Sequence, residues 1–209
     1  MIYLIGGAPR CGKTILSKSI ARQKKLSWLS TDAIRPIILN YLSKSQIKIK
    51  FPQTTMTTPE NKFRFDIYSA DAMLKAQLIE AETMWPGIKS LITSLIYREQ
   101  DYVIEGVHLL PKHLKELTKS ELKKNVKIVY LVKKNLTKII RDFPKNKKEY
   151  DWMLPSIMGD APRLKKAARM VQVKSEYFYR EAKKYHLKVI NTDDNFEKKL
   201  RQASDYLLE

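Results

Sequence analysis

Eight residues near the start of the chain have the types and the spacing to bind phosphate. Gly7-Ala8-Pro9-Arg10-Cys11-Gly12-Lys13-Thr14 reads G-x-x-x-x-G-K-[ST]. Its two glycines can take backbone angles closed to other residues, so consecutive N–H groups can turn inward onto an anion. A helix starting at Lys13 adds its positive end. Lys13 is then expected to reach the β- and γ-phosphates of a nucleotide, and the Thr14 hydroxyl to sit on Mg²⁺. Cys11 fills a free position in this loop. A helix N-terminus can lower a thiol pKa, so a reactive thiol stands as the alternative to a filler residue.

Further along, polar residues follow apolar runs where chemistry could use them. Asp32 follows Leu26-Ser27-Trp28-Leu29-Ser30. A carboxylate there can orient an acceptor hydroxyl and take its proton, or belong to a metal site; capping a helix is its plain alternative. Arg35 lies one turn on and can hold an anionic acceptor through a bidentate contact. Glu105 ends Asp101-Tyr102-Val103-Ile104-Glu105 and can hold Mg²⁺ or touch the acceptor. His108 and Arg64 are further substrate-contact candidates. Arg141, Arg163 and Arg169 are candidates to close over the transferred phosphoryl group, because its charge spreads over oxygens that mobile arginines can cover. Lys165, Lys166 and Lys174 read as solvated. Thr192, after the last apolar run, borders a nucleotide site in one reading and a plain strand-to-helix turn in the other. No second His or Cys stands at metal-ligand spacing, so a zinc site has no support.

These residues need elements to position them. Apolar runs at 2–5, 26–30, 101–106, 126–132 and 187–191 read as five strands. Helical patterns separate them: 13–25, where Ile15, Leu16, Ile20 and Ala21 share a face; a segment opened by Thr31-Asp32 with Asp32 as N-cap; Thr58-Pro59 through Ala81; and a helix from Ile88 after an interruption at Trp85-Pro86-Gly87. After these come a segment capped by Asn135, a helix of about 24 residues from Asp160 to near Tyr185, and a last one from Asp194. Residues 48–58 and 108–117 read as loop and short turn, and 144–162 as irregular. Alternating strands and helices imply a parallel sheet with right-handed crossovers, with ligands at the carboxyl ends of the strands. A single domain is expected, with a helical acceptor-binding insertion at 46–98 and a lid at 141–169. The insertion has enough apolar residues for a dimer face, but core packing accounts for them equally well.

The chain has 209 residues, 44% of them hydrophobic, enough for one α/β core. One cysteine excludes an internal disulfide, and neither a signal peptide nor a membrane span is legible, so a cytoplasmic location is expected. The charge is +18, and residues 106–209 carry +12 of it. A polyanion such as RNA, a highly phosphorylated ligand, or lysines spread over solvated faces would each account for it.

Together, Gly6–Thr14, Ser30-Thr31-Asp32-Ala33-Ile34-Arg35 and Ile104-Glu105-Gly106-Val107-His108-Leu109-Leu110-Pro111 resemble the small P-loop kinases of the nucleoside-monophosphate-kinase type. The nearest likeness within that group is to 2-phosphoglycerate-kinase-like proteins; zeta-toxin-like and chloramphenicol-phosphotransferase-like kinases share the plan less closely. The resemblance implies a sheet of order 2-3-1-4-5, ATP with Mg²⁺, and γ-phosphoryl transfer to a small-molecule hydroxyl. It also implies that Lys13 and Thr14 bind nucleotide and metal, that Asp32 activates the acceptor, and that lid arginines come from 141–169. Residues 46–62 and 112–125 fit no family pattern. A nucleotide or polynucleotide kinase, and a nucleotide-binding switch without turnover, are the rival readings.

Overall fold

The computed structural model describes residues 1–60, 62–144, 154, 157 and 159–209 of the chain. The remaining positions, including Lys145, Lys147, Lys148 and Met158 of the expected lid, lie outside the described residues.

Five parallel strands form the sheet: β1 (Ile2–Gly7), β2 (Ser27–Ser30), β3 (Tyr102–Gly106), β4 (Val126–Val132) and β5 (Lys188–Asn191). Their order is β2-β3-β1-β4-β5, as the sequence predicts. Register places Ile5 beside Glu105 and Ser30 on the far side of Glu105. The loops after β1, β2 and β3 therefore share one edge of the sheet. Helices α1 (Lys13–Lys24) and α10 (Phe196–Leu208) pack on one face; α6 (Ala70–Tyr97), α7 (Pro111–Lys119) and α9 (Ala161–Lys184) cover the other. The central strands are buried on both sides, and so read as continuous apolar runs.

Several boundaries differ from the sequence reading. Helix α2 (Thr31–Leu39) is capped by Ser30, whose hydroxyl accepts from the Asp32 N–H at 3.3 Å. Asp32 is thereby relieved of capping. Residues 44–50 form α3 behind a Ser43/Gln46 capping box, and 52–55 form the short α4. The expected helix from Pro59 to Ala81 is instead a short α5 (Arg64–Ile67), a break, and α6 capped by Ser69. Helix α6 then runs straight through Pro86 and Gly87. Both are exposed there, while Met84, Trp85, Ile88 and Ile92 are buried around them. Burial of that stripe outweighs the roughly 3–4 kcal/mol that an interior Pro and Gly cost an isolated helix. In α1, Leu16, Ile20 and Ala21 face the core, whereas Ile15 is exposed. Helix α8 (Leu136–Asp142) is capped by Asn135 as expected, and α10 begins at Phe196 after Asn195 in a left-handed conformation.

A second apolar cluster lies beyond the sheet. Phe65 of α5, Met73 of α6, Ile139 and Phe143 around α8, Leu154, Ile157 and the start of α9 pack together. The insertion and the base of the expected lid thus share one small core. Arg163 of α9 reinforces the contact by pairing with Asp66 at 3.1 Å.

One close approach fixes α2 to β3. A Cβ on Gly106 would lie 1.7 Å from Thr31 Oγ1. Gly106→Ala is expected to destabilise the protein by about 1–3 kcal/mol, the usual cost of overpacking. It should also displace Asp32 one residue along, so urea unfolding and any Asp32-dependent activity should both report it.

Candidate active site

The loop after β1 has the form of an anion cradle. Gly7 and Gly12 stand at φ 130° and 98°, angles that L side chains rarely adopt. Gly12 caps α1, yet no side chain caps that helix and no acid lies in its first turn. The positive end of α1 is therefore open to an anion. Lys13 is buried along its stem and its Nζ donates to the Ala8 carbonyl at 2.7 Å. Thr14 Oγ1 donates to Glu105 Oε1 at 3.2 Å. A hydroxyl and a carboxylate held together are the hard oxygen donors that suit Mg²⁺, which takes few protein ligands and completes its shell with phosphate and water.

Cys11 faces inward. It is buried beside the Pro9 carbonyl and 3.6 Å from Ser175 Oγ, and burial pushes its thiol pKa up. This favours the filler role over the reactive one. Arg10 turns outward at φ 61°, lies 4.0 Å over the Phe143 ring and donates to the Phe143 carbonyl, so it ties the loop to the end of α8.

Across the sheet edge, Asp32 and His108 come together. His108 is buried; its Nδ1 hydrogen-bonds with Thr31 Oγ1 at 2.9 Å and lies 3.7 Å from Asp32 Oδ1. The Asp32 carboxylate is 71% exposed, open to an incoming molecule. Burial pushes the His108 pKa down to about 4; Asp32 opposes this, while Arg35, Lys174 and Lys13 add to it. The ring is therefore neutral at pH 7. In the unfolded chain it titrates near 6.5. Between about 6.5 and 4 the unfolded state binds the proton and the folded state does not, so stability falls as pH falls through that window. Urea midpoints at pH 7 and pH 4.5 should drop more steeply for the wild type than for His108→Asn.

Arg35 is already engaged. Its Nε and Nη2 donate to the fully buried Glu80 at 3.0 and 3.3 Å, and Nη2 also reaches Thr54 Oγ1 at 2.6 Å. Glu80 accepts from the Gln53 main-chain N–H at 2.8 Å and from its side chain at 3.2 Å. Glu80 thus binds α2, α4 and α6 into one wall. Arg64, at the start of α5, is exposed, and its charge reaches Lys174 of α9. Lys174 is buried rather than solvated. Three cations, Arg35, Lys174 and Lys13, therefore act on His108 beside Asp32, and Arg64 acts on Lys174.

No family model and no curated protein matches the sequence. Solved structures do, over nearly the whole chain. A gluconokinase from Sinorhizobium meliloti 1021 superposes with a TM-score of 0.54 at 12% identity, covering 99% of this chain and 90% of that one. A sugar kinase from Janibacter sp. HTCC2649 gives 0.54 at 14%, covering 99% and 93%. A shikimate kinase from Bacteroides thetaiotaomicron gives 0.51 at 15%, covering 100% and 98%. The chain has the P-loop kinase fold. At these identities the likeness extends to the architecture alone, so the roles of individual residues rest on the geometry above.

The remaining expected residues of this P-loop chain take different places. Arg141 is 57% exposed and pairs with its neighbour Asp142 at 2.8 Å. Arg163 pairs with Asp66 and Asp160 and lies 5.1 Å over the Phe63 ring, which places it between the insertion and α9. Arg169 is exposed and reaches Gln172 at 2.6 Å. None of the three touches the phosphate loop in this conformation among the described residues. Thr192 is fully buried, and its hydroxyl donates to the carbonyls of Cys11 and Val132, each at 3.2 Å. It braces the loop from behind and presents no surface to a nucleotide. Asp193 accepts from the Lys134 and Asn135 N–H groups, and Asp194 pairs with Lys138 at 2.5 Å.

Sequence reasoning missed Glu80 and Lys174. Lys174 carried a signal: Ala167, Val171, Lys174, Phe178 and Ala182 repeat at steps of four, three, four and four on one buried face of α9. Glu80 carried none, because its partners, Arg35 and Gln53, come from two other segments of the chain. Among the described residues, no helix is long and apolar enough to cross a membrane.

Proposed function

We propose that this protein is an ATP-dependent phosphotransferase that moves the γ-phosphoryl group of ATP to a hydroxyl of a small anionic acceptor. The observation that carries this reading is the pairing of an open P-loop with an exposed carboxylate, Asp32, beside a His108 that feels the charges of Arg35, Lys174 and Lys13. The fold supports it, since the solved structures it resembles are kinases named for small molecules.

In this reading the N–H groups of the loop and Lys13 hold the nucleotide phosphates. Thr14 and Glu105 would hold Mg²⁺, which neutralises phosphate charge when bound. Asp32 accepts the proton of the acceptor hydroxyl as its oxygen bonds to the γ-phosphorus. The bond from that phosphorus to the bridging oxygen breaks, and ADP leaves with the electron pair. Neutral His108, held by Thr31, keeps Asp32 in place without competing for its charge. Arg35 is preset by Glu80 to face the acceptor rather than to wander. Arginines of 141–169 close over the site and exclude water, which would otherwise take the phosphoryl group.

A 2-phosphoglycerate-like acid is the favoured acceptor, by the motif likeness of 30–35 and 104–111 and by the cations Arg35, Lys174 and Lys13 that act on His108. The test is a transfer screen with γ-labelled ATP and Mg²⁺ over phosphorylated three-carbon acids, sugar acids, nucleosides, nucleoside monophosphates and RNA 5′ ends. Label in a small acid that disappears in Lys13→Ala supports the reading. Label only in RNA would move the net charge of +18 from background to function. ATP binding without transfer to any acceptor would point to a switch.

A further inference from the structure

Lys174 stands where the helical repeat of α9 calls for a core residue. Its neighbours on that face are buried, and it is itself only 4% exposed. An ammonium buried without a partner is costly, so such groups are paired in folded proteins. Lys174 makes no hydrogen bond and no ion pair among the described residues, and its Nζ is not one of their orphaned buried polar atoms: the stem is buried, while the ammonium keeps a little contact with solvent.

Its surroundings say what is missing. Glu80 of α6 is the strongest attracting charge, with Asp32 of α2 next; Lys13 of α1 and Arg64 of α5 repel it. It in turn acts on His108, in the turn after β3. Both oxygens of Glu80 are already taken by Arg35 and Gln53. Asp32 faces His108 and is mostly exposed. The nearby carboxylates attract Lys174 without satisfying it. The next residue holds it in this position: Ser175 Oγ accepts from the Lys133 N–H at 3.1 Å and lies 3.6 Å from Cys11 of the phosphate loop. Helix α9 is therefore locked against the loop at this turn, which keeps Lys174 within electrostatic reach of Glu80, Asp32 and His108.

We propose that Lys174 is the specificity residue that holds the carboxylate or phosphate of the acceptor: α9 supplies the cation, and the acceptor supplies the anion partner that the protein leaves out. This rests on the kinase reading above. Burial lowers its pKa to about 8, so its grip should weaken above that pH, whereas a guanidinium in its place would keep its charge.

The test is calorimetric binding of 2-phosphoglycerate, D-glycerate and D-gluconate, with glycerol as the neutral control. The full chain is used, with Mg²⁺ and a non-hydrolysable ATP analogue present. At least one acid should bind the wild type, and glycerol should not; the phosphorylated and unphosphorylated acids tell phosphate from carboxylate. Lys174→Met should lose at least about tenfold in acid affinity at pH 7 while the ATP analogue binds within twofold of wild type. It should also melt higher, since methionine buries no charge, so loss of binding is not loss of fold. Lys174→Arg should keep acid binding at pH 7 and pH 9, whereas the wild type weakens about tenfold between them. Acid affinity unchanged in Lys174→Met, loss of ATP-analogue binding instead, or no acid bound by the wild type would each overturn the proposal. A neutral acceptor phosphorylated equally by wild type and Lys174→Met would overturn it while leaving the kinase reading intact. Lys174-dependent acid binding by a chain that transfers to nothing would do the reverse.

Discussion

Lys13→Met should lower kcat for phosphoryl transfer by about 10²–10³-fold, the usual effect of removing one preorganised charge from a reacting oxyanion. Among the described residues Lys13 is buried along its stem and donates only to the Ala8 carbonyl, a contact a bound phosphate can replace without a rival carboxylate to displace. Methionine keeps the stem's packing and removes the charge. Thermal stability should therefore hold while turnover falls and nucleotide affinity weakens. The measurement is steady-state transfer alongside calorimetric binding of an ATP analogue. A variant with full turnover would remove Lys13 from the chemistry.

Asp32→Asn should lower kcat by about 10²–10⁴-fold, the range for losing a positioned general base, with the ATP analogue bound as in the wild type. The reason is local. Ser30 caps α2, so the carboxylate is not spent on the helix, and it stays exposed 3.7 Å from a neutral His108. Asparagine preserves the size of the side chain but cannot take a proton. A single-turnover assay with saturating ATP isolates this step from product release. Full transfer by the asparagine variant would return Asp32 to a structural role.

Arg35 and Arg163 show why side-chain roles were harder to read than elements. Each was legible as a cation near the site. Their partners, Glu80 for one and Asp66 for the other, lie 45 and 97 positions away in the chain, beyond any local pattern. The same holds for Thr192, whose hydroxyl reaches back to Cys11. Helix α6 shows the converse. Local propensity stops it at Pro86, and the burial of Met84, Trp85 and Ile88 carries it through.

What the sequence by itself determined is the set of features written in short-range spacing. The phosphate loop, the five apolar runs, the strand order that follows from their likeness to small P-loop kinases, and the placing of Asp32 and Glu105 at strand ends all depend on residues within a few positions of one another. The tertiary structure alone decided which cations are buried or paired around Asp32 and His108. Arg35 is held by a carboxylate from another helix, Arg141 pairs with its neighbour at the surface, and Lys174 is driven inward by the face of α9 on which it falls. Charge is a property of the residue, whereas its burial and its partner are properties of the packing.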